Sequence, residues 1–285
     1  MNELELDNNK IIDGVEIADK IKHSVRREII ERDLIPGLAI ILVGKDSASH
    51  LYVTKKEKAC AEAGIVFNKY LFKEKDSEQD IIDTINFLNN DDEVDAIIVQ
   101  LPLPKKFDTQ KIINTISPAK DVDGFHPENV EKFLKNETFI EPVMTQTIRE
   151  TLNYTNEKLK NKTAVILGNS HEFIEPIEKM LSDLEIKTSH THTSENDWQE
   201  KIKTANILIT AVGDPFLIKK EMIKDAVIII DVGINKVGNA TVGDVDYTDV
   251  FPKCKFITPV PGGIGPITIA YLLKNTLELH KKILK

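Results

Sequence analysis

The sequence contains few of the features that would place it in several common classes of protein. It has only two cysteines, Cys60 and Cys254, and neither belongs to a CxxC pair, so no metal site is expected. No apolar run approaches the roughly 20 residues of a membrane span. The polar N-terminus lacks the basic and apolar regions of a signal peptide. These absences predict a cytoplasmic protein that needs no membrane, and they leave a disulfide between the two cysteines open.

Positive charge is also scarce. Lys and Arg total 37 against 46 Asp and Glu, which gives a formal net charge of -9. Nucleic acids and anionic membrane surfaces both require a positive field on the protein, so we expect neither as a partner. A small anionic molecule held by a few local lysines remains compatible with this balance.

Short apolar runs rich in β-branched residues alternate with amphipathic stretches, which is typical of parallel sheets covered by helices. The runs predict strands at 38–43, 66–72, 94–99, 164–167, 207–212 and 227–232. We therefore predict an α/β fold with two domains, residues 1–140 and 141–266. A helix follows at about 267–285, and periodicity alone does not show whether it packs back on the first domain.

Tyr52 and Lys56 are four residues apart on a predicted helix and therefore share one face. A tyrosine ring can stack on a flat heterocycle, and a partly desolvated lysine beside it can act as an acid or a base. The alternative is an ordinary solvated helix, because charged residues flank the pair. The spacing by itself leaves both interpretations open.

Polar residues also follow the predicted strands of the first domain, where ligands of α/β proteins bind. Gln100 ends an apolar run and is either a cap on the strand or a ligand contact. Asp121 and Asp123 would point the same way in an extended segment. An ordinary Asp-Gly turn is the alternative interpretation, and too few oxygen ligands follow for a metal site.

Two segments of the second half could contact a ligand. Gly168-Asn-Ser170 follows a predicted strand and precedes a helix, where a dinucleotide phosphate would lie, although the G-x-G-x-x-G fingerprint is absent. Residues 259–266 hold three glycines and three prolines before the last helix, a composition that favours a functional loop over a connector. The alternation of His190 and His192 is more typical of surface residues than of metal ligands.

The chain carries seven motifs in this order: Tyr52-Val-x-x-Lys56, Lys58-Ala-Cys60, Gln100-Leu-Pro-Leu-Pro104, Lys120-Asp-Val-Asp-Gly-Phe125, Asp231-Val-Gly-Ile-Asn235, Gly243-Asp-Val-Asp246 and Thr258-Pro-Val-Pro-Gly-Gly-Ile-Gly-Pro266. Taken together, these motifs resemble the bifunctional methylenetetrahydrofolate dehydrogenase/methenyltetrahydrofolate cyclohydrolase family over about residues 11–277. Any one of them could arise by chance, whereas all of them in this order are specific.

The resemblance implies a folate-binding lobe, a Rossmann-like lobe and a cleft between them. It implies that Lys56 is the key catalytic residue, that Gln100 hydrogen-bonds it, and that Tyr52 packs on the folate. Asp123 would bind the amide edge of the pterin. The remaining residues implied in substrate binding are Pro261, Gly262 and Gly263.

The resemblance also implies a dinucleotide cofactor, NADP or NAD, and a homodimer formed through the second lobe. The residues implied in cofactor binding are Gly168, Asn169, Ser170, Thr191 and Ile234. Family members oxidise methylenetetrahydrofolate and hydrolyse the methenyl product to 10-formyltetrahydrofolate, so we expect both activities here.

The cofactor turn departs from the family pattern Gly-x-Ser-x-x-x-Gly-x-Pro. Ile174 replaces the second glycine, Asn169 stands where the family often has arginine, and Val143-Met144 replaces Cys-Thr. These changes predict weak NADP binding and low dehydrogenase activity relative to the cyclohydrolase. A cyclohydrolase with weakened or lost dehydrogenase activity is therefore the first alternative. A non-catalytic folate- or nucleotide-binding protein is the second, and the intact Lys56, Gln100 and Asp123 argue against it.

Overall fold

The computed structural model describes residues 8–283, which form two units. Of the described residues, the first unit comprises 18–143 and 268–283, and the second comprises 8–17 and 144–267. The elements before residue 140 are α1 (Gly14–Glu31), β1 (Gly37–Val43), α2 (Ser47–Ala63), β2 (Val66–Phe72), α3 (Glu78–Asn89), β3 (Ala96–Val99), α4 (Thr109–Asn114) and α5 (Pro127–Leu134).

The remaining elements begin with α6 at the boundary of the two units. They are α6 (Val143–Tyr154), β4 (Thr163–Gly168), α7 (His171–Asp183), β5 (Lys187–Thr191), α8 (Trp198–Lys203), β6 (Ile207–Ala211), β7 (Ile228–Asp231), β8 (Asn235–Val237), β9 (Ala240–Val242), α9 (Tyr247–Val250), β10 (Phe256–Ile257) and α10 (Ile264–Ile283). Two short 3₁₀ helices lie at Asn8–Lys10 and Lys220–Met222.

The first unit is built on a parallel sheet of three strands in the order β2-β1-β3. Every residue of β1 is buried, as expected for an apolar strand covered on both faces. Side chains of α2 and α10 pack on one face, including Val53 and Leu273. Side chains of α3, including Ile81 and Ile85, pack on the other. The sheet therefore holds the amino end of α2 and the end of β3 in fixed positions.

The start of α3 was readable from the sequence. In the sequence, Ser77 is followed three residues later by Asp80, and this spacing predicts a capping box, in which each side chain accepts a hydrogen bond from the backbone of the other. The Asp80 N–H donates to Ser77 Oγ at 3.1 Å and the Ser77 N–H donates to Asp80 Oδ2 at 3.2 Å. The prediction is confirmed.

The second unit contains a parallel sheet of five strands in the order β10-β7-β6-β4-β5. Because β5 and β6 lie on opposite sides of β4, the strand order reverses between β4 and β6. Such a reversal opens a crevice at the carboxyl ends of the two strands, where doubly wound folds bind dinucleotides. An antiparallel hairpin of β8 and β9 completes the unit. The predicted α/β fold, with a Rossmann-like sheet in its second half, is confirmed.

Within residues 8–283, none of the helices combines the length and the apolar character needed to cross a membrane.

Candidate active site

Helix α2 presents Tyr52 and Lys56 on one side. Its first turn is capped by Asp46, whose carboxylate accepts the Ser49 N–H at 2.7 Å. It ends at Gly64, whose left-handed backbone conformation lets its N–H reach the Cys60 carbonyl. Tyr52 and Lys56 are half-buried between these two fixed ends, and burial raises the pKa of the Tyr52 phenol.

Lys56 is hydrogen-bonded to the end of the neighbouring strand β3. Its Nζ donates to Gln100 Oε1 at 3.0 Å. The Gln100 amide nitrogen donates to the Leu101 carbonyl at 2.7 Å, which turns its oxygen toward the lysine. The Gln100 backbone N–H donates to the Ile41 carbonyl, so this residue both closes the strand and contacts Lys56.

The environment of Lys56 brings its pKa closer to neutrality. Desolvation by burial lowers the pKa of the ammonium from its ordinary value, and the charges of Asp123 and Cys60 oppose that effect. Burial likewise raises the pKa of Asp123 to about 6, against the opposing charge of Lys56. Both groups therefore depart from their ordinary pKa values, as ionisable groups of functional sites often do.

Asp121 and Asp123 occupy a turn and serve different purposes. The Asp121 carboxylate accepts hydrogen bonds from the Gly124 and His126 backbone N–H groups at 3.2 and 2.8 Å, so it holds the turn together. Gly124 has φ +77°, and a Cβ atom there would lie 2.8 Å from Pro142 Cα. The segment is therefore the Asp-Gly turn considered from the sequence, and it leaves Asp123 as the carboxylate beside Lys56.

In the second unit, the turn Gly168–Ser170 lies at the crevice between β4 and β6. Ser170 caps α7 by accepting the Phe173 N–H at 3.4 Å. Asn169 is exposed, and its side-chain amide donates to the Val212 carbonyl at 3.0 Å, which joins the ends of β4 and β6. Free N–H groups at the start of α7 suit a phosphate, so the residues of this turn fit a dinucleotide.

The side chain of Ile174 packs beside Gly168, the first residue of this turn, and crowding of a bound pyrophosphate by Ile174 stays a prediction. Ile174 is only 7% exposed, and a Cβ atom on Gly168 would lie 3.5 Å from its Cγ1. Because residue 174 lies on the inner face of α7, its side chain packs against the end of β4, where the turn begins.

Glu172 lies in the first turn of α7, directly after the Gly168–Ser170 turn, and the sequence motifs did not single it out. Its Oε2 lies 2.6 Å from Ser170 Oγ, and this hydrogen bond lowers the pKa of the Glu172 carboxyl. The available signal was an acidic residue in the first turn of a helix, where it interacts favourably with the helix dipole. A carboxylate held there competes with a phosphate for the same partial positive charge.

The other residues predicted to bind ligands are spread over three loops. Thr191 is the last residue of β5 and is buried, whereas Ile234 follows Gly233 and is 44% exposed. Pro261, Gly262 and Gly263 form the turn before α10, closed by a hydrogen bond from the Gly263 N–H to the Pro259 carbonyl at 2.8 Å. All of these residues lie in the second unit.

Two buried carboxylates organise the carboxyl ends of β6 and β7. Asp244 accepts the backbone N–H groups of residues 212–214 and the side-chain donors of Thr210 and Asn235. Asp231 accepts the N–H groups of residues 233, 244 and 245. A Cβ atom on Gly243 would lie 1.9 Å from Asp231 Oδ2, so only glycine fits there. The hydrogen bonds to Asp244 thereby hold the loop after β6, whose Val212 carbonyl accepts the hydrogen bond from Asn169.

The raised pKa of the Asp231 carboxyl group predicts that the stability of the protein depends on pH. Burial raises its pKa to about 7, and the charge of Asp244 acts in the same direction. Because the folded state favours protonated Asp231, its contribution to stability is complete below the unfolded pKa and is lost as the pH rises to about 7. That loss could reach about 4 kcal/mol, at about 1.4 kcal/mol per pKa unit.

We expect the Asp231→Asn variant to lack this component. Its free energy of unfolding in urea should change less between pH 4.5 and 8 than that of the parent, after accounting for groups common to both. A difference between the two proteins that stays constant across this range would contradict the assignment.

These observations define the class of protein, which is a two-unit α/β protein with a dinucleotide-type sheet in one unit and a Lys–Gln–carboxylate cluster in the other. Two family models match the chain. The tetrahydrofolate dehydrogenase/cyclohydrolase catalytic domain covers residues 12–123, and the NAD(P)-binding domain of the same family covers residues 142–284. The chain therefore belongs to the tetrahydrofolate dehydrogenase/cyclohydrolase family.

Individual relatives agree with this family over nearly the full length of the chain. The bifunctional protein FolD of Nitratiruptor sp. is 43% identical over 277 residues, which are 96% of this chain and 98% of that protein. The bifunctional enzyme FolD of Campylobacter jejuni is 37% identical, with a TM-score of 0.88 and coverage of 96% and 99%. The Trypanosoma brucei enzyme FolD, solved with NADP cofactor and an inhibitor, has a TM-score of 0.92 at 30% identity and coverage of 96% and 98%.

Proposed function

We propose that this chain is a bifunctional enzyme that oxidises 5,10-methylenetetrahydrofolate with NADP and hydrolyses the methenyl product to 10-formyltetrahydrofolate. The observation that carries the proposal is the Lys56–Gln100 hydrogen bond at the end of β3, beside a carboxyl group of raised pKa. The named activities of the relatives support it. The first unit would bind folate and the second the dinucleotide, and the domain boundaries at residues 140 and 266 remain predictions.

The hydrolytic step explains why one lysine is needed. Water must lose a proton as its oxygen attacks the methenyl carbon, and a ring nitrogen must gain a proton as its bond to that carbon breaks. A lysine whose pKa is lowered by burial can accept the first proton as the amine and deliver one as the ammonium. Gln100 holds the Lys56 nitrogen in place, and the Tyr52 ring would stack on the folate.

The oxidative step makes fewer demands on acid–base groups. A bound NADP would supply the acceptor for the hydride that leaves the methylene carbon of the folate, whose remaining positive charge would be delocalised over the two nitrogens. The protein contributes orientation, through Asp123 at the pterin and the α7 turn at the dinucleotide phosphates. Substrate binding by Pro261, Gly262 and Gly263, and cofactor binding by Gly168, Thr191 and Ile234, remain predictions.

A cyclohydrolase with weakened dehydrogenase activity is the second candidate. Asn169 offers no positive fork to a 2′-phosphate, and the Glu172 carboxylate faces the phosphate turn. NAD lacks the 2′-phosphate and would be affected only by Glu172.

The decisive experiment measures two conversions by the purified full chain. One assay offers methylenetetrahydrofolate with NADP or with NAD, and the other offers methenyltetrahydrofolate alone. Both conversions above background support the bifunctional enzyme. Hydrolysis without reduction of either dinucleotide supports the second candidate, and neither conversion would reject both.

We expect the Asn169→Arg, Glu172→Gln double variant to bind NADP about tenfold more tightly than the parent, which corresponds to about 1.4 kcal/mol. The variant adds a forked cation and removes a competing carboxylate. Ile174→Gly is not part of the design, because it would open a cavity against β4. Binding is measured by titration in the absence of folate.

Glu175→Gln is the matched control for this double variant. It removes the same charge one position beyond the first turn, where Glu175 lies 3.7 Å from His171. The control should leave NADP affinity nearly unchanged. Tight NADP binding by the parent, with no gain in the double variant, would show that the turn does not limit affinity.

We also propose a cytoplasmic homodimer, as the family resemblance implies. Exposed Val237 on the β8–β9 hairpin and the two free, buried cysteines, Cys60 and Cys254, are compatible with it. Light scattering after gel filtration tests the dimer. A mass of one chain at micromolar concentration would exclude it.

A further inference from the structure

Asn275 is a polar residue inside an otherwise apolar face of α10. It is 2% exposed, and the nearby Leu272, Leu273 and Leu277 belong to the core of the first unit. A buried amide is costly unless its hydrogen bonds are made. The amide nitrogen of Asn275 donates to the carbonyls of Val122 at 3.0 Å and Glu141 at 3.1 Å.

The two carbonyls belong to the two chain segments that hold Asp123. Val122 directly precedes Asp123, and the Asp123 carbonyl accepts the Val143 N–H at 3.0 Å. Glu141 lies two residues before Val143. The close approach of Gly124 to Pro142 shows that the segments lie against each other. One side chain, 153 positions from Val122 and 134 positions from Glu141 in the sequence, therefore ties both segments together.

We propose that Asn275 is a positioning residue for folate binding, which acts by fixing the backbone around Asp123 and so the direction of its carboxylate. Asp121 secures the following side of the same turn through Gly124 and His126. With Asn275 on the preceding side, both ends of the turn are fixed. The inference rests on the proposed role of Asp123 in binding the pterin.

A double-mutant cycle on the full chain tests this inference with Asn275→Leu, Asp123→Ala and the combined variant. Leucine has the same branched shape and the same number of side-chain heavy atoms as asparagine, but it offers no donor to the two carbonyls. We expect Asn275→Leu alone to weaken folate binding and raise the KM of the hydrolysis by about tenfold, equal to about 1.4 kcal/mol. The kcat should change far less, because Asn275 does not touch the reacting atoms.

The combined variant distinguishes a role of Asn275 in positioning Asp123 from a general role of Asn275 in stabilising the fold. In the Asp123→Ala background, Asn275→Leu should change folate affinity by less than about twofold, since the group it positions is gone. Thr276→Val is the matched control, because it removes a buried hydrogen bond to Leu272 on the same helix without touching the turn. The control should leave KM unchanged.

Three results would overturn the inference: unchanged folate affinity in Asn275→Leu, an undiminished tenfold loss in the Asp123→Ala background, or an equal loss in Thr276→Val. If the leucine variant does not fold, Asn275→Ser enters the same cycle with the same expected outcomes. Absence of folate binding in the parent protein would instead reject the proposed function itself, so the two failures are distinguishable.

Discussion

Replacing Lys56 by methionine should lower the rate of methenyltetrahydrofolate hydrolysis at least about 100-fold, the lower range for loss of a positioned acid–base group. Methionine keeps an unbranched apolar stem in the half-buried site, so the helix and the first unit should remain folded. It cannot accept a proton from water or deliver one to a ring nitrogen, and Gln100 loses its partner.

The dehydrogenase reaction should suffer less from the same substitution. Hydride transfer needs the substrates to be held in the right geometry but needs no proton transfer from Lys56. The two activities of the Lys56→Met variant are therefore measured side by side, with the spontaneous hydrolysis rate subtracted. A ratio of activities that stays at the parent value would show that Lys56 does not act specifically on the hydrolysis.

Lys58→Met provides the matched control. Lys58 lies on the same helix two positions away, its side chain is 79% exposed, and its contact with Glu62 is 3.8 Å long. Removing this exposed charge should leave both rates within about twofold of the parent, since surface ion pairs contribute little. Parent-level hydrolysis in Lys56→Met would remove Lys56 from the catalytic machinery.

Replacing Asp123 by alanine should weaken folate binding by about tenfold or more, because donors of the pterin would lose a charged acceptor at a cost of about 1–3 kcal/mol. The carboxylate can accept two parallel hydrogen bonds from the amino and ring N–H groups. Titration of the folded protein with a folate ligand measures the loss. Asp83→Asn, an exposed change on α3, is the control and should not alter affinity.

The same carboxyl group predicts how folate binding depends on pH. Burial raises the pKa of Asp123 to about 6, so the group is ionised above that pH and protonated below it. Only the ionised form accepts both hydrogen bonds, so folate affinity should fall as the pH drops through about 6. In Asp123→Ala this component should disappear. An equal pH dependence in both proteins would assign it to another group.

Much of the architecture could be predicted because it depends on local patterns. The apolar run at 38–43 predicts a buried strand, and the structure places β1 at Gly37–Val43. The strand predicted at 94–99 starts later, at Ala96. Val94 closes a turn instead, because its backbone N–H donates to the Asp91 carbonyl. The apolar pattern reports burial, and Val94 is buried without belonging to the strand.

The candidate site was predictable to different degrees in the two units. Tyr52 and Lys56 share a face because helical spacing dictates it, and the family motifs pointed to Gln100 and Asp123. The cofactor turn was only partly predictable, because the two-residue separation of Glu172 and Ile174 on α7 decides which of their side chains faces inward. Ile174 faces the sheet and Glu172 faces Ser170, which only the packing of α7 on β4 could reveal.

The sequence by itself determined the strands, the helix faces and the capping box at Ser77, because hydrophobic periodicity and capping act between residues close in the chain. Tertiary structure alone decided the contacts between distant segments. Asn275 meets Val122 across 153 positions, and Asp244 accepts hydrogen bonds from a loop that lies 30 to 32 residues away in the sequence. No local pattern encodes such contacts, because the partners come together only when the helices and strands pack.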